Sequence, residues 1–140
     1  MQALVRAANQ VRWDHLALRS HALEVTHRDH DNGVLAFRRW NDAGDVVLVV
    51  ANLGGGQWQQ HDYGVLTGAG GRWEEIFNSQ APDFGGYEDS GNAGWHPVWG
   101  SPPPPPRLAV FVPASAKFVY SARSTGSVGD DGGPDQNAWP

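Results

Sequence analysis

The run FNSQAPDFGGYEDSGN, residues 77–92, decides the fold that this chain is expected to adopt. It follows a strand-like segment, GRWEEIF at residues 71–77, and lies between the apolar segment DVVLVVANL at 45–53 and the closing pair RLAVFVPASAKFVYSA at 107–122. Short apolar or alternating segments bounded by Gly, Asn, Asp and Pro are typical of β-strands. The sequence therefore predicts an all-β chain in which the turn-rich run joins two parts of a sheet.

Further strands are predicted before and after the central segment. EVTHRD at 24–29 and VLAFRRW at 34–40 form a hairpin around Asn32 and Gly33, because both residues tolerate positive φ. The run VVLVVA is apolar on both faces, which is typical of a central strand covered on both sides. WQQHDYGVL at 58–66 alternates as a half-exposed strand does. The expected fold is an antiparallel β-sandwich of the Greek-key type with about seven or eight strands and an N-terminal helix.

The chain divides into three predicted parts. Residues 1–22 contain an amphipathic helix at 3–19, residues 23–123 form the sandwich, and residues 124–140 are a disordered tail with little to bury. Residues 81–106, which include a run of five prolines, lose all periodicity and are predicted to be an irregular loop. The predicted core residues are Leu35, Phe37, Val47, Val49, Ile76, Val110, Val112, Phe118 and Tyr120.

Composition excludes several classes of partner. The 140 residues carry a formal net charge of -5 without a basic block, so nucleic acid is not an expected partner. No apolar run reaches the roughly 20 residues of a membrane helix, so no membrane partner is expected. The N-terminus lacks the apolar region of a signal peptide, which favours a cytoplasmic location over secretion. There is no cysteine, and we expect no cofactor.

The order of the segments resembles the C-terminal all-β domain of the α-amylase family, most closely that of the glucan branching enzymes. In that family a strand ends in Asn-Ser-Asp and leads into an aromatic-Gly-Gly step. The matching residues here are Asn78, Ser79, Phe84, Gly85 and Gly86. Gln80 replaces the family's Asp, and the resemblance covers residues 4–123. It implies that the N-terminal helix is the last helix of a catalytic barrel, which takes roughly 250 residues and cannot fit within this chain.

The resemblance also implies a function. The catalytic carboxylates of the family lie on the barrel, so this chain is expected to be a non-catalytic domain in glycogen or starch metabolism. Its expected partners are the barrel domain of a parent protein and, as a further expectation, α-glucan. The alternative is a stand-alone carbohydrate-binding module for starch, glycogen or another polysaccharide. A third possibility is a protein-interaction domain in which the proline run is the ligand.

Aromatic side chains are the candidates for carbohydrate contact, because sugars present C–H faces to rings and hydroxyls to polar groups. These candidates are Trp95, Trp99, Tyr87, Trp58 and Trp73. The competing interpretation for each ring is a role in covering the sandwich, and Trp73 in particular is expected to face the core or a sheet edge. We predict no catalytic residue, since the neighbouring Glu74 and Glu75 point to opposite faces of a strand. The six histidines supply no identifiable metal-ligand set, so no metal is expected.

Overall fold

The computed structural model describes residues 1–58, 63–68 and 71–86 completely, and the backbone alone of residues 95–99, 107–109 and 117–123. It begins with helix α1 (Gln2–Asp14), followed by a 3₁₀ helix (Leu16–Arg19). The strands are β1 (Ala22–Asp29), β2 (Val34–Trp40), β3 (Val46–Asn52), β4 (Gly64–Leu66), β5 (Arg72–Asn78), β6 (Trp95–Trp99), β7 (Arg107–Ala109) and β8 (Lys117–Arg123), and a second 3₁₀ helix (Pro82–Phe84) follows β5. The predicted all-β architecture with an N-terminal helix is confirmed.

Antiparallel pairing connects all the described strands in the order β1-β2-β3-β8-β5-β6-β7-β4. Strand β6 forms the corner between two layers, because its residues 95–97 pair with β5 while Val98 and Trp99 pair with β7. Beyond the corner, β4 returns to contact β1 at the other end of the order. The strands therefore fold over one another as an antiparallel sandwich.

The core lies between these two layers. Its fully buried side chains come from β2, β3, β4 and β5, namely Val34, Ala36, Leu48, Val50, Val65 and Trp73. Val46, Trp58 and Tyr63 are partly buried and pack against this cluster. Burying one of the Val or Leu side chains of this cluster stabilises the fold by about 1.5–3 kcal/mol.

On β2, the predicted core residues lie on the wrong face of the strand. Val34 and Ala36 are buried, whereas the predicted Leu35 and Phe37 are only half-buried on the opposite face. The strand is apolar on both faces near its start, so alternation alone cannot tell which face lies inside. Every predicted side chain on this strand therefore belongs to the outer face of the sheet.

On β3 the prediction was correct for Val47, which is buried, but the inner face carries Leu48 and Val50 while Val49 is half-buried. The predicted core residue Ile76 is also half-buried. Of the remaining predictions, Val110 and Val112 lie outside the described residues, and Phe118 and Tyr120 have only their backbone described, at register positions opposite Val50 and Leu48.

Four predicted elements differ from the structure. The helix predicted at 3–19 is two elements, because His15 is extended with φ -112° and ψ 100° and separates α1 from the 3₁₀ helix. The irregular loop predicted at 81–106 contains strand β6. The closing pair of strands predicted at 107–122 is not adjacent in the sheet, since β8 lies between β3 and β5 whereas β7 lies between β6 and β4. The strand predicted at 58–66 begins only at Gly64, with residues 59–62 outside the described part.

The predicted disordered tail at 124–140 and the proline run at 102–106 also lie outside the described residues. Within the residues that the structure describes, no helix combines the length and hydropathy needed to cross a membrane.

Candidate functional site

Trp73 is part of the core. Its side chain is 0% exposed and belongs to the buried cluster, so the ring offers no surface to a sugar. The structure therefore replaces the carbohydrate-contact prediction for Trp73 with a packing role, as the competing interpretation expected. Its indole Nε1 has no hydrogen-bond partner among the described residues. A buried N–H without a hydrogen bond costs free energy, which the burial of the apolar ring must offset.

Trp58 is a half-buried ring held between two neighbours. It stacks on Tyr63 with the ring centroids 4.6 Å apart and the planes at 28°. A Cβ atom placed on Gly56 would lie 2.9 Å from the Trp58 ring carbons, so the backbone approaches the ring closely there. Trp58 is thus partly engaged in packing against the core, and its contact with carbohydrate stays a prediction.

The side chains of the other three predicted carbohydrate contacts lie outside the described part of the structure. Trp95 and Trp99 begin and end strand β6, whose backbone alone is described. Tyr87 lies outside the described residues. Carbohydrate contact by these three residues stays a prediction.

The motif residues form one compact turn after β5. Asn78 is 8% exposed, and its Oδ1 accepts a hydrogen bond from the Gln80 backbone N–H at 2.8 Å. Its carbonyl accepts the Ala81 N–H at 3.2 Å. An Asn side chain that bonds two residues ahead mimics a backbone turn, which explains Asn at this position. Ser79 is half-buried within the same turn.

The glycines of the motif are required by the path of the chain. Gly85 has φ +82°, a conformation that favours glycine. A Cβ at Gly86 would lie 1.9 Å from the Gln80 carbonyl oxygen, so no larger residue fits without moving the turn. Phe84 packs on Phe77 with centroids 5.9 Å apart. The Pro82–Phe84 helix that this turn positions contacts α1, so the motif builds part of the surface on which α1 lies.

Asp45 holds the start of the segment that connects α1 to the sandwich. Its Oδ2 accepts the Ala17 backbone N–H at 2.8 Å, and its Oδ1 accepts a hydrogen bond from His15 Nδ1 at 3.2 Å. The first N–H groups of a helix have no partner within the helix. Asp45 therefore caps the Leu16–Arg19 helix from the turn between β2 and β3, 28 residues further along the chain.

Arg39 holds the end of the same segment. Its Nη1 donates to the Leu18 carbonyl at 2.8 Å, and its Nη2 donates to the Ser20 carbonyl. The Ser20 hydroxyl oxygen lies 2.5 Å from the Trp40 carbonyl, to which it donates. We refer to these contacts of Arg39, Asp45 and Ser20 as the linker clamp. It fixes residues 15–20 to β2 and β3.

A second polar network joins β4 to β1. The Leu66 N–H donates to His27 Nδ1 at 3.3 Å, so the neutral ring carries its hydrogen on Nε2 and donates it to Tyr63 Oη at 2.8 Å. Tyr63 in turn donates to Asp29 Oδ2 at 2.7 Å. The hydrogen bonds from the Asn32 side chain and from Tyr63 lower the pKa of Asp29 to about 2.

Several carboxylates have evident structural roles. Glu24 pairs with Arg38 at 2.6 Å, Asp29 accepts from Tyr63, and Asp45 belongs to the linker clamp. Within the described segments, no three side chains of His, Asp or Glu converge to hold a metal ion.

Trp13 is a candidate that the sequence analysis missed. Its side chain is 67% exposed, and the Arg19 guanidinium lies 4.9 Å from the ring centroid. Asn9, Arg12, Trp13 and Arg19 line a depression of about 210 Å³. The available signal was the position of Trp13 in α1, where it shares a helix face with polar residues rather than with the apolar ones.

Comparison with known proteins identifies the family. The profile of the alpha amylase C-terminal all-beta domain matches residues 25–122. A 1,4-alpha-glucan branching enzyme of Xanthomonas oryzae pv. oryzae is 38% identical over 101 residues, which are 67% of this chain and 13% of that protein. A branching enzyme of Burkholderia vietnamiensis is 36% identical over 107 residues, 71% of this chain and 14% of its own length.

The chain thus spans only about one eighth of the length of the relatives that it matches. The family match includes the sandwich and the motif turn whose geometry is described above. The chain belongs to the family of alpha-amylase C-terminal all-beta domains.

Proposed function

We propose that this chain is the non-catalytic C-terminal domain of an α-glucan-active protein of the branching-enzyme type, in which it supports a catalytic barrel domain. The support for this proposal is the family match together with the small share of each branching enzyme that the chain covers. The supporting role consists of holding α1, the helix that precedes the sandwich, in a fixed orientation.

The linker clamp is the observation that carries the proposal. A connection between two separately moving domains is usually exposed, with few contacts to either domain. Here Arg39 donates hydrogen bonds to the Leu18 and Ser20 carbonyls of the connection, and Asp45 accepts one from the Ala17 N–H. Rotation about residues 15–20 would break these bonds. The orientation of α1 is therefore coupled to β2 and β3.

Among the described residues, one side of helix α1 faces the sandwich. Its half-buried residues are Leu4, Ala7 and Val11, spaced as one helical face, and α1 contacts β5 and the Pro82–Phe84 helix. Met1 and Val5 are 95% and 53% exposed on another side, and no residue of α1 is fully buried. A helix with a free apolar side is suited to packing against a second body, which we propose is the barrel.

The carboxylates support a non-catalytic role. Retaining glycosidases hold two carboxyl groups about 5–5.5 Å apart beside the substrate. In the described part of the chain, Asp29 and Asp45 accept hydrogen bonds that stabilise the connections between elements, and Glu24 is paired with Arg38. These groups contribute to the fold, and the chemistry is assigned to the barrel.

A hybrid enzyme tests the proposal. The C-terminal domain of the Xanthomonas oryzae branching enzyme is replaced by this chain, and branching of amylose is followed by the loss of iodine absorbance. We expect the hybrid to be active, and we expect the isolated chain to convert no starch or amylose.

Variants of the hybrid then test the role of the clamp. Arg39→Met and Asp45→Ala should lower the thermal stability and activity of the hybrid, while Arg38→Met, on the same strand but outside the clamp, should retain both. A hybrid as inactive as the enzyme truncated before its C-terminal domain would contradict the proposal. Turnover by the isolated chain that is lost on mutating one of its own carboxylates would contradict its non-catalytic part.

A further inference from the structure

Trp13 lies neither on the side of α1 that faces the sandwich nor on its free apolar side. At 100° per residue, its Cα is about 160° around the helix axis from Val11, which faces the sandwich, and about 80° from Val5 on the free apolar side. The residues that share its position most closely are Gln2 and Arg6, each about 20° away. A large aromatic ring that is 67% exposed on the polar side of a helix contributes little to either contact.

The residues that line the depression beside Trp13 all carry polar groups. Asn9 lies one turn before Trp13, Arg12 is its chain neighbour, and Arg19 reaches the ring from the following 3₁₀ helix. Each guanidinium offers five N–H donors, and the Asn amide both donates and accepts. Among the described residues, Asp45 is bonded to His15 and Glu24 to Arg38, so neither of these carboxylates neutralises Arg12 or Arg19.

The nearest carboxylate in the sequence is already engaged. Asp14 Oδ1 accepts a hydrogen bond from Gln10 Nε2 at 2.9 Å, on the far side of the helix from Asn9 and Arg12. The N–H groups of the depression therefore remain directed to solvent or to a ligand. An apolar partner would remove water from two guanidinium groups without replacing those hydrogen bonds, which is unfavourable. The combination of ring and donors suits a ligand that has both apolar faces and hydroxyl groups.

We infer that Asn9, Arg12, Trp13 and Arg19 form a binding site for a segment of α-1,4-linked glucan. The exposed part of the indole stacks on the C–H face of one sugar ring, and the guanidinium and amide groups bind its hydroxyls. The assignment of the polymer rests on the proposed function, since branching enzymes act on this glucan, whereas the existence of a polar aromatic site rests on the geometry alone.

The site adjoins the linker clamp. Arg19 belongs to the same 3₁₀ helix whose Ala17 N–H and Leu18 carbonyl are held by Asp45 and Arg39. A glucan bound here is held at the junction between the sandwich and the helix that leads to the preceding domain. Because a single stacked ring buries little area, the expected dissociation constant is on the order of millimolar to tens of micromolar.

The test is a titration of the full, ¹⁵N-labelled chain with maltoheptaose, followed by the indole N–H signals of its tryptophans. We expect the Trp13 signal and the Asn9 side-chain amide to shift together with one dissociation constant. Trp13→Ala should raise that constant at least tenfold. Leu16→Ala, which removes a neighbouring side chain that is 51% exposed, is the matched control and should leave it unchanged.

Each other outcome overturns the inference. Shifts confined to tryptophans other than Trp13, or no shift at 50 mM maltoheptaose, would exclude glucan binding at this site. A second titration uses inorganic phosphate, because two guanidinium groups also attract anions. If phosphate shifts the Asn9 and Trp13 signals and maltoheptaose does not, the site binds anions and the glucan assignment is wrong. Any of these results together with an active hybrid enzyme would overturn the glucan site and leave the supporting role intact. An inactive hybrid, with maltoheptaose binding to the chain as expected, would overturn the supporting role and leave the glucan site intact.

Discussion

Replacing Arg39 by Met removes the central donor of the linker clamp while keeping most of the apolar stem. Two backbone carbonyls, those of Leu18 and Ser20, lose a charged donor. A hydrogen bond to a charged group contributes about 1.5–3 kcal/mol when buried, and less for a half-buried group such as this one. The variant also removes Arg39 Nε, which is buried without a partner among the described residues, so part of the loss is offset. The expected net decrease in the free energy of unfolding is about 1–3 kcal/mol.

Urea denaturation followed by far-UV circular dichroism measures this difference directly. Arg38→Met is the control, since Arg38 pairs with the half-exposed Glu24 and donates to the Gly68 carbonyl. Exposed pairs contribute less than about 1 kcal/mol. In addition, amide hydrogen exchange in α1 should accelerate in Arg39→Met and not in Arg38→Met. Equal losses in the two variants, or unchanged exchange in α1, would refute the role assigned to the clamp.

Three further predictions follow from the described residues. Gly86→Ala should destabilise the chain by about 2 kcal/mol or more, because its Cβ meets the preceding turn, whereas Gly55→Ala, with nothing within 4 Å, should cost less than about 1 kcal/mol; equal denaturation midpoints would contradict this. The carboxylate of Asp29 has its pKa lowered from 3.8 to about 2, so its stabilising effect is present above pH 3.8 and is lost as the pH falls towards 2. Asp29→Asn should therefore show a weaker dependence of stability on pH in that window, measured by urea denaturation, and an unchanged dependence would argue against the network. If Trp95 and Trp99 contact glucan, Trp95→Ala and Trp99→Ala should weaken retention in an amylopectin gel; a lower melting temperature with unchanged retention would assign both rings to the fold.

Much of the fold could be predicted from the sequence because its turns are chemically explicit. Asn32 and Gly33 lie in the turn that joins β1 to β2, as expected, with Gly33 at φ +71°. The motif glycines are explained by the positive φ of Gly85 and the close contact at Gly86. These are local requirements of the backbone, and a single sequence displays them directly.

The inner face of the sheet could not be predicted in the same way. Strands β2 and β3 carry apolar residues on both faces, and a shift of one residue moves every side chain to the other face. Phe37 is larger than Ala36, yet Ala36 is buried and Phe37 is half-buried. Alternation along the strand therefore could not decide which of the two faces lies inside.

The contacts of the linker clamp and of Trp13 depend on tertiary structure. Asp45 caps a helix 28 residues before it, and Arg39 binds carbonyls 21 and 19 residues before it. No local sequence pattern distinguishes these side chains from other Asp and Arg residues at the surface. Trp13 alone carried a signal, as an aromatic residue on a polar helix face, and the sequence analysis treated it only as part of the helix.

The central claim is that the sandwich holds α1 in a fixed orientation. Backbone ¹H–¹⁵N residual dipolar couplings of the isolated chain in a dilute aligning medium test it most directly. We predict that the couplings of α1 (Gln2–Asp14) fit the same alignment tensor as those of β2 and β3, and that Arg39→Met reduces the α1 couplings alone. Couplings in α1 that average towards zero, or that require a separate tensor in the unmodified chain, would contradict the account.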